Sequence, residues 1–129
     1  MLANFAQMAF AACLVCASMG TPVEAQEFGA FEILNPTSNT MKYQVRWGEG
    51  DWQTYSIPPG YSRWHAYELD LLGIAPAPEI RFDWVGGDSS VTHLYYDLDF
   101  FTTFDPKIGG KPYRFQYFPD GVHVDLYPA

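Results

Sequence analysis

Between residues 41 and 47 the chain reads MKYQVRW, and every second side chain is apolar. Met41, Tyr43, Val45 and Trp47 share one parity; Lys42, Gln44 and Arg46 share the other. Successive side chains of an extended strand point to opposite faces, so a period of two gives one dry face and one wet face. A helix needs apolar residues three and four apart, which this run does not supply. The alternation returns in EIRFDWV (79–85), VTHLYYDLDFF (91–101), KPYRFQYF (111–118) and VHVDLY (122–127). Between the runs stand TSNT, GEGD, PPG, GGDSS, TTFDPKIGG and PDG, the Gly, Pro, Asn, Asp and Ser clusters that turn a chain. Short alternating strands at such spacing predict an all-β fold: a single small antiparallel β-sandwich of about seven or eight strands, immunoglobulin-like or jelly-roll-like. Trp64, Tyr67, Glu68 and Leu71 also fit a helical period, but the segment reads better as a strand leading into the loop LDLLGIAPAP.

Side-chain parity also predicts registers, because a slip of one residue would turn an apolar face into water. Around GGDSS, Phe82 should face Leu94, Ile80 Tyr96, Arg81 Tyr95, Trp84 Thr92, Val85 Val91 and Asp83 His93. Ile80, Phe82, Trp84, Leu94, Tyr96, Leu98 and Phe100 then form one apolar face. Glu79, Arg81, Asp83, His93, Tyr95, Asp97 and Asp99 form the wet one. At the C-terminus a two-residue Asp120-Gly121 turn of type I′ should pair Tyr117 with Val124 and Phe115 with Leu126. Pairing Val45 with Tyr55 and Tyr43 with Ile57 keeps another apolar face intact and leaves Trp52 in the turn.

The first 25 residues read differently. FAQMAFAACLVCAS (5–18) is a short, mostly apolar run, followed by Gly20, Pro22 and Val23-Glu24-Ala25. That order is the pattern of a secretory signal peptide cut after Ala25, although MLANFAQ lacks the usual basic residue. The run is too short for a spanning helix, which needs about 20 apolar residues. The expectation is an exported domain over 26–129, periplasmic, cell-surface or extracellular, without a transmembrane segment. Cys13 and Cys16, the two cysteines of the chain, both lie in the leader. An alternative is lipid anchoring through Cys13. Without cysteine, the domain has no disulfide, thiolate metal site or cysteine nucleophile. It must hold together by its apolar core, feasible at about 100 residues.

All seven Lys and Arg, and all but one of the fifteen Asp and Glu, follow residue 25. An acidic surface repels phosphate backbones, so nucleic acid is not an expected partner. Asp97-x-Asp99 invites a calcium reading, with Asp88, Asp105 or Asp51 brought in from loops. Calcium wants six to eight oxygens at one point, and strand positions two apart splay by about 6.6 Å. Asp88, Asp97, Asp99 and Asp105 are therefore weak candidates, and no metal or other cofactor is predicted. His65, His93 and His123 fall on separate strands without a metal-binding spacing, and read as half-exposed strand residues. No G-x-S-x-G elbow is present. Ser56, Ser62, Ser89 and Ser90 sit beside turns, so a small hydrolase is a remote alternative.

Aromatic residues carry the functional lead. Trp47 and Trp52 bracket GEGD, and Tyr55, Tyr61 and Trp64 follow closely. The expectation is a non-catalytic interaction module, presenting these residues to an unknown protein or envelope component. The alternative is a carbohydrate-binding module in which Trp52 stacks on a sugar beside Glu49, Asp51 and Gln53. The same rings would serve equally as core and rim.

Overall fold

The computed structural model describes residues 25–85 and 94–129. Among them lie nine strands: β1 (Phe28–Leu34), β2 (Met41–Trp47), β3 (Gln53–Ile57), β4 (Ser62–Glu68), β5 (Pro78–Phe82), β6 (Leu94–Asp97), β7 (Phe101–Thr103), β8 (Lys111–Tyr117) and β9 (Val124–Pro128). They form two sheets, and among the described residues there is no helix. Sheet I runs β9-β8-β1-β4, with β7 also on β1; sheet II runs β3-β2-β5-β6. The result is the expected small all-β sandwich, and the segment from Ser62 to Glu68 is a strand.

Sheet II follows from parity. In β5, Pro78, Ile80 and Phe82 are buried while Glu79 and Arg81 are half-exposed. Inward residues of both sheets close one core: Phe31, Ile33, Met41, Tyr43, Val45, Ile57, Ile80, Phe82, Leu98, Tyr113, Phe115, Val124 and Leu126. Full burial of one such side chain stabilises by roughly 1.5–3 kcal/mol, which is how a domain without a disulfide offsets its chain entropy.

Two predicted registers are met: Phe82 faces Leu94, Ile80 Tyr96 and Arg81 Tyr95, and Tyr117 faces Val124 and Phe115 Leu126. The pairs involving Val91, Thr92 and His93 lie outside the described residues. The final turn differs from the tight Asp120-Gly121 form. The Gly121 N–H donates to the Phe118 carbonyl at 2.9 Å, which centres the turn on Pro119 and Asp120. Pro119, with its fixed φ and no N–H, suits the second position of such a turn. The β2–β3 register is two residues from the expected one: Tyr43 faces Tyr55, Val45 faces Gln53 and Met41 faces Ile57. Gly48, at φ 60°, closes the turn early, with the Gly50 N–H on the Trp47 carbonyl at 3.1 Å. A two-residue shift keeps every side chain on its face, so parity alone cannot detect it.

Two features are absent from the antiparallel expectation. First, β1 pairs in parallel with β8, Phe31 to Leu34 against Lys111 to Arg114, while β7 takes the N-terminal half of the same edge. Second, residues 94–103 are not one strand. The chain leaves sheet II after Asp97 and joins sheet I at Phe101. The Leu98 N–H bonds the Pro78 carbonyl at 2.9 Å, and the Asp99 N–H bonds the Tyr113 hydroxyl at 2.8 Å. Leu98 remains buried through the crossing. Phe100 covers Gly29, where any Cβ would come within 2.6 Å of its ring.

The opposite end of the sandwich is closed by Asn35, which is 1% exposed. Its amide donates to the carbonyls of Asn39 at 2.7 Å and Ile57 at 2.8 Å, and its oxygen accepts from the Thr37 hydroxyl at 2.6 Å. Beside it Pro59 and Gly60 form a turn in which the Tyr61 N–H meets the Pro58 carbonyl at 3.2 Å. Gly60 takes the φ of 79° that the third position of a type II turn requires.

Candidate functional site

The outer face of sheet II is built from the wet parity of its strands. Lys42, Gln44 and Arg46 come from β2, Glu79 and Arg81 from β5, and Tyr95 and Asp97 from β6. The Arg46 guanidinium meets the Glu79 carboxylate at 2.9 Å. Arg81 donates to the Gln44 side-chain oxygen at 2.6 Å, and Gln44 donates to the Thr54 hydroxyl at 3.0 Å. Because β3 starts at Gln53 opposite Val45, Trp52 arrives beside Arg46. Its indole lies 4.6 Å from the Arg46 guanidinium and 4.2 Å from that of Arg81. Tyr95 stands edge-on at 6.3 Å. Each guanidinium–indole contact stabilises by about 0.5–1 kcal/mol at an exposed site. Trp52 is thereby fixed in place, half-buried, beside the 60% exposed ring of Tyr95.

The other four aromatic residues picked out from the sequence go elsewhere. Trp47 turns inward, 5.6 Å from Phe31, 5.3 Å from Tyr67 and 6.0 Å from Phe100. Tyr55 stacks on Tyr43 at 5.8 Å and stands over His65 at 4.6 Å. Tyr61 is exposed at the Asn35 end. Trp64 is 43% exposed and pairs with Glu32 in sheet I. Trp52 is the member of the five on the outer face of sheet II. Tyr95 is its neighbour there, foretold by parity as outward but not as an aromatic partner.

His65 is corrected by the structure. It is not half-exposed but 5% exposed, stacked at 5.0 Å on Phe31 and hydrogen-bonded through Nε2 to the Tyr43 hydroxyl at 2.7 Å. Burial, with a smaller contribution from Arg63, lowers its pKa to about 3. Burial likewise drives the Tyr43 hydroxyl above its usual range. At neutral pH this is a neutral imidazole sealed among rings, poorly placed to accept a proton from a substrate. His123 does sit half-exposed, against the Trp84 ring at 4.4 Å, with Nδ1 2.6 Å from Asp120. That hydrogen bond first, then the N–H groups of Val122 and His123, hold the Asp120 carboxyl at about 2. Asp83, expected on the wet face, is 5% exposed and accepts from the Val85 N–H at 2.9 Å.

Asp88 and His93 lie outside the described residues. Among the described residues no three histidines, cysteines or carboxylates gather closely enough to hold a metal ion. Asp97 and Asp99 are exposed on either side of the crossing, and Asp105 accepts from the Lys107 N–H at 2.9 Å. No described helix is long and apolar enough to cross a membrane. Neither a protein-family model, nor a curated protein, nor a solved structure matches the chain.

Proposed function

We propose that this is an exported, non-catalytic interaction module whose binding face is the outer face of sheet II around Trp52 and Tyr95. The observation that carries the reading is the indole of Trp52 held against two guanidiniums, beside an exposed tyrosine. Trp, Tyr and Arg are the residues that dominate binding energy at interfaces, most of all when fixed before the partner arrives. The hydrogen-bonded row from Thr54 through Gln44 to Arg81 supplies that rigidity. The partner class is a protein or an envelope component. The test is crosslinking in the producing cell, comparing the natural chain with Trp52→Ala and Tyr95→Ala. A specific crosslinked product should disappear in both variants while both still unfold cooperatively, with midpoints lowered by no more than about 8 °C. Products that persist in both variants sink the proposal.

A second reading is a carbohydrate-binding face. In its favour, the same two rings are bordered by Gln44, Glu79 and Asp97, groups able to bond sugar hydroxyls. A glycan array with the mature chain separates the two. Binding lost in Trp52→Ala selects the sugar, and an array blank for the natural chain removes it.

A further inference from the structure

A different end of the molecule carries a surface that the Trp52 face does not explain. Phe28, at the start of β1, faces Glu68, the last residue of β4, on one side. On the other side it faces Thr103, the last residue of β7. The loops after β4 and β7 therefore leave the same end of sheet I, two strand spacings or roughly 10 Å apart. Each is tipped with apolar side chains. Leu71 and Leu72 are 104% and 80% exposed, and Ile74, Phe104 and Ile108 are each more than half exposed.

Both loops are firmly built. Asp70 Oδ1 accepts from the N–H groups of Leu72 at 2.9 Å and Ile74 at 3.1 Å, and the Gly73 N–H returns to the Asp70 carbonyl at 2.9 Å. In the second loop Thr103 Oγ1 donates to the Ile108 carbonyl at 2.6 Å, and Asp105 Oδ1 accepts from the Lys107 N–H at 2.9 Å. The aspartate within each loop is thus turned onto its own backbone, and the projecting groups are aliphatic or aromatic apart from the exposed Lys107. Isolated exposed apolar residues are ordinary; five on two ordered, neighbouring tips are not.

The chain also enters at this end. The Leu69 N–H bonds the Glu27 carbonyl at 3.0 Å, and Gln26 donates to the Leu69 carbonyl at 3.1 Å. The apolar run 5–18 precedes this entry by the seven residues 19–25, which span at most about 25 Å. While it remains attached, an apolar leader at that distance holds this end of the chain close to a lipid surface. Convex tips offer little shape for a second copy to complement, whereas a bilayer requires none. We infer that the loops at 70–74 and 104–108 form a membrane-contacting end whose five apolar side chains enter a neutral lipid bilayer. The leader supplies part of the argument, but the contact is a property of the folded domain and is independent of the Trp52 face. Glu49, Asp51, Glu68 and Asp99 lie toward the same end and outnumber Lys107 on the tip, which makes anionic lipid the poorer host.

The chain from Gln26 onward contains all nine strands and the core cluster, and it has no cysteine. One cysteine carrying an environment-sensitive dye can therefore be placed as Leu72→Cys, or as Ser38→Cys at the far end. With phosphatidylcholine vesicles the dye at position 72 should brighten and shift to the blue while the dye at 38 stays unchanged. Phosphatidylglycerol should give the weaker response. Replacing Leu71, Ile74, Phe104 and Ile108 together by Ser should reduce vesicle co-sedimentation by about tenfold or more. A silent dye at 72, equal responses at both positions, or undiminished co-sedimentation of the fourfold variant overturns the inference. So does a self-association that the fourfold variant abolishes without any vesicle response, which would assign the tips to a second copy. Cell fractionation, with the mass of the N-terminus, tests export separately. A failure there leaves the vesicle result standing.

Discussion

Trp52 and His65 stand in the same stretch of chain, and the fold gives them opposite environments. Trp52 lies on the outside of sheet II against two cations; His65 lies between the sheets, neutral, among Phe31, Tyr43 and Tyr55. The difference is set by strand register. Trp52 precedes β3 at a position beside the outward Arg46, whereas His65 is paired with the inward Phe31. Identical aromatic richness thus yields a polar surface cluster in one place and a dry packing cluster in the other. The dry cluster should lose stability in acid, and the surface cluster should tolerate truncation.

The largest expected effect is a loss of stability in acid. Unfolded, His65 takes up a proton near its ordinary pKa of 6.5; folded, it resists down to about 3. The unfolded state therefore gains protons first, and stability falls as pH drops from 6.5 towards 3. At about 1.4 kcal/mol per unit, the loss from this one group approaches roughly 4 kcal/mol. Urea unfolding across that range should show a markedly shallower slope in His65→Phe than in the natural chain. Superimposable slopes would mean that the imidazole is not kept neutral by burial.

Tyr43→Phe should cost about 1–3 kcal/mol, because it leaves a buried imidazole nitrogen without its partner. The same denaturation experiment reads it, and a change below a few tenths would place water or another group at that nitrogen. The smallest effect is expected at Trp52→Ala, about 1 kcal/mol from lost guanidinium contacts, with no change in the acid slope. A cost comparable with that of a core truncation would show that Trp52 belongs to the packing after all.

Sequence patterning made the sandwich legible through residues such as Ile80, Phe82, Phe115 and Leu126, whose parity alone decides their side. It failed where parity is silent. The β2–β3 shift preserves every face. The crossing at Leu98–Phe100 keeps the inward rhythm while changing sheets, with no Gly or Pro to mark it. At Trp64-His65-Ala66 hydrophobicity points the wrong way. The larger apolar ring goes out and the histidine goes in, because Tyr43 on the facing sheet supplies the hydrogen bond that a buried imidazole needs. No single strand contains that information. The candidate face was half legible: Trp52 was singled out, but the partnership of Arg46, Arg81 and Tyr95 requires three strands to be assembled.

One more consequence belongs to β1. This first strand finds a parallel neighbour only at Lys111, eighty residues after Phe31, and its remaining edge only at Thr103. Contacts so distant in sequence form slowly, since a long loop must close before any pairing rewards it. A nascent chain therefore cannot complete sheet I until β8 and β9 have appeared. Sheet II, whose strands all lie within 41–97, can pair earlier, but the sandwich closes only when sheet I arrives.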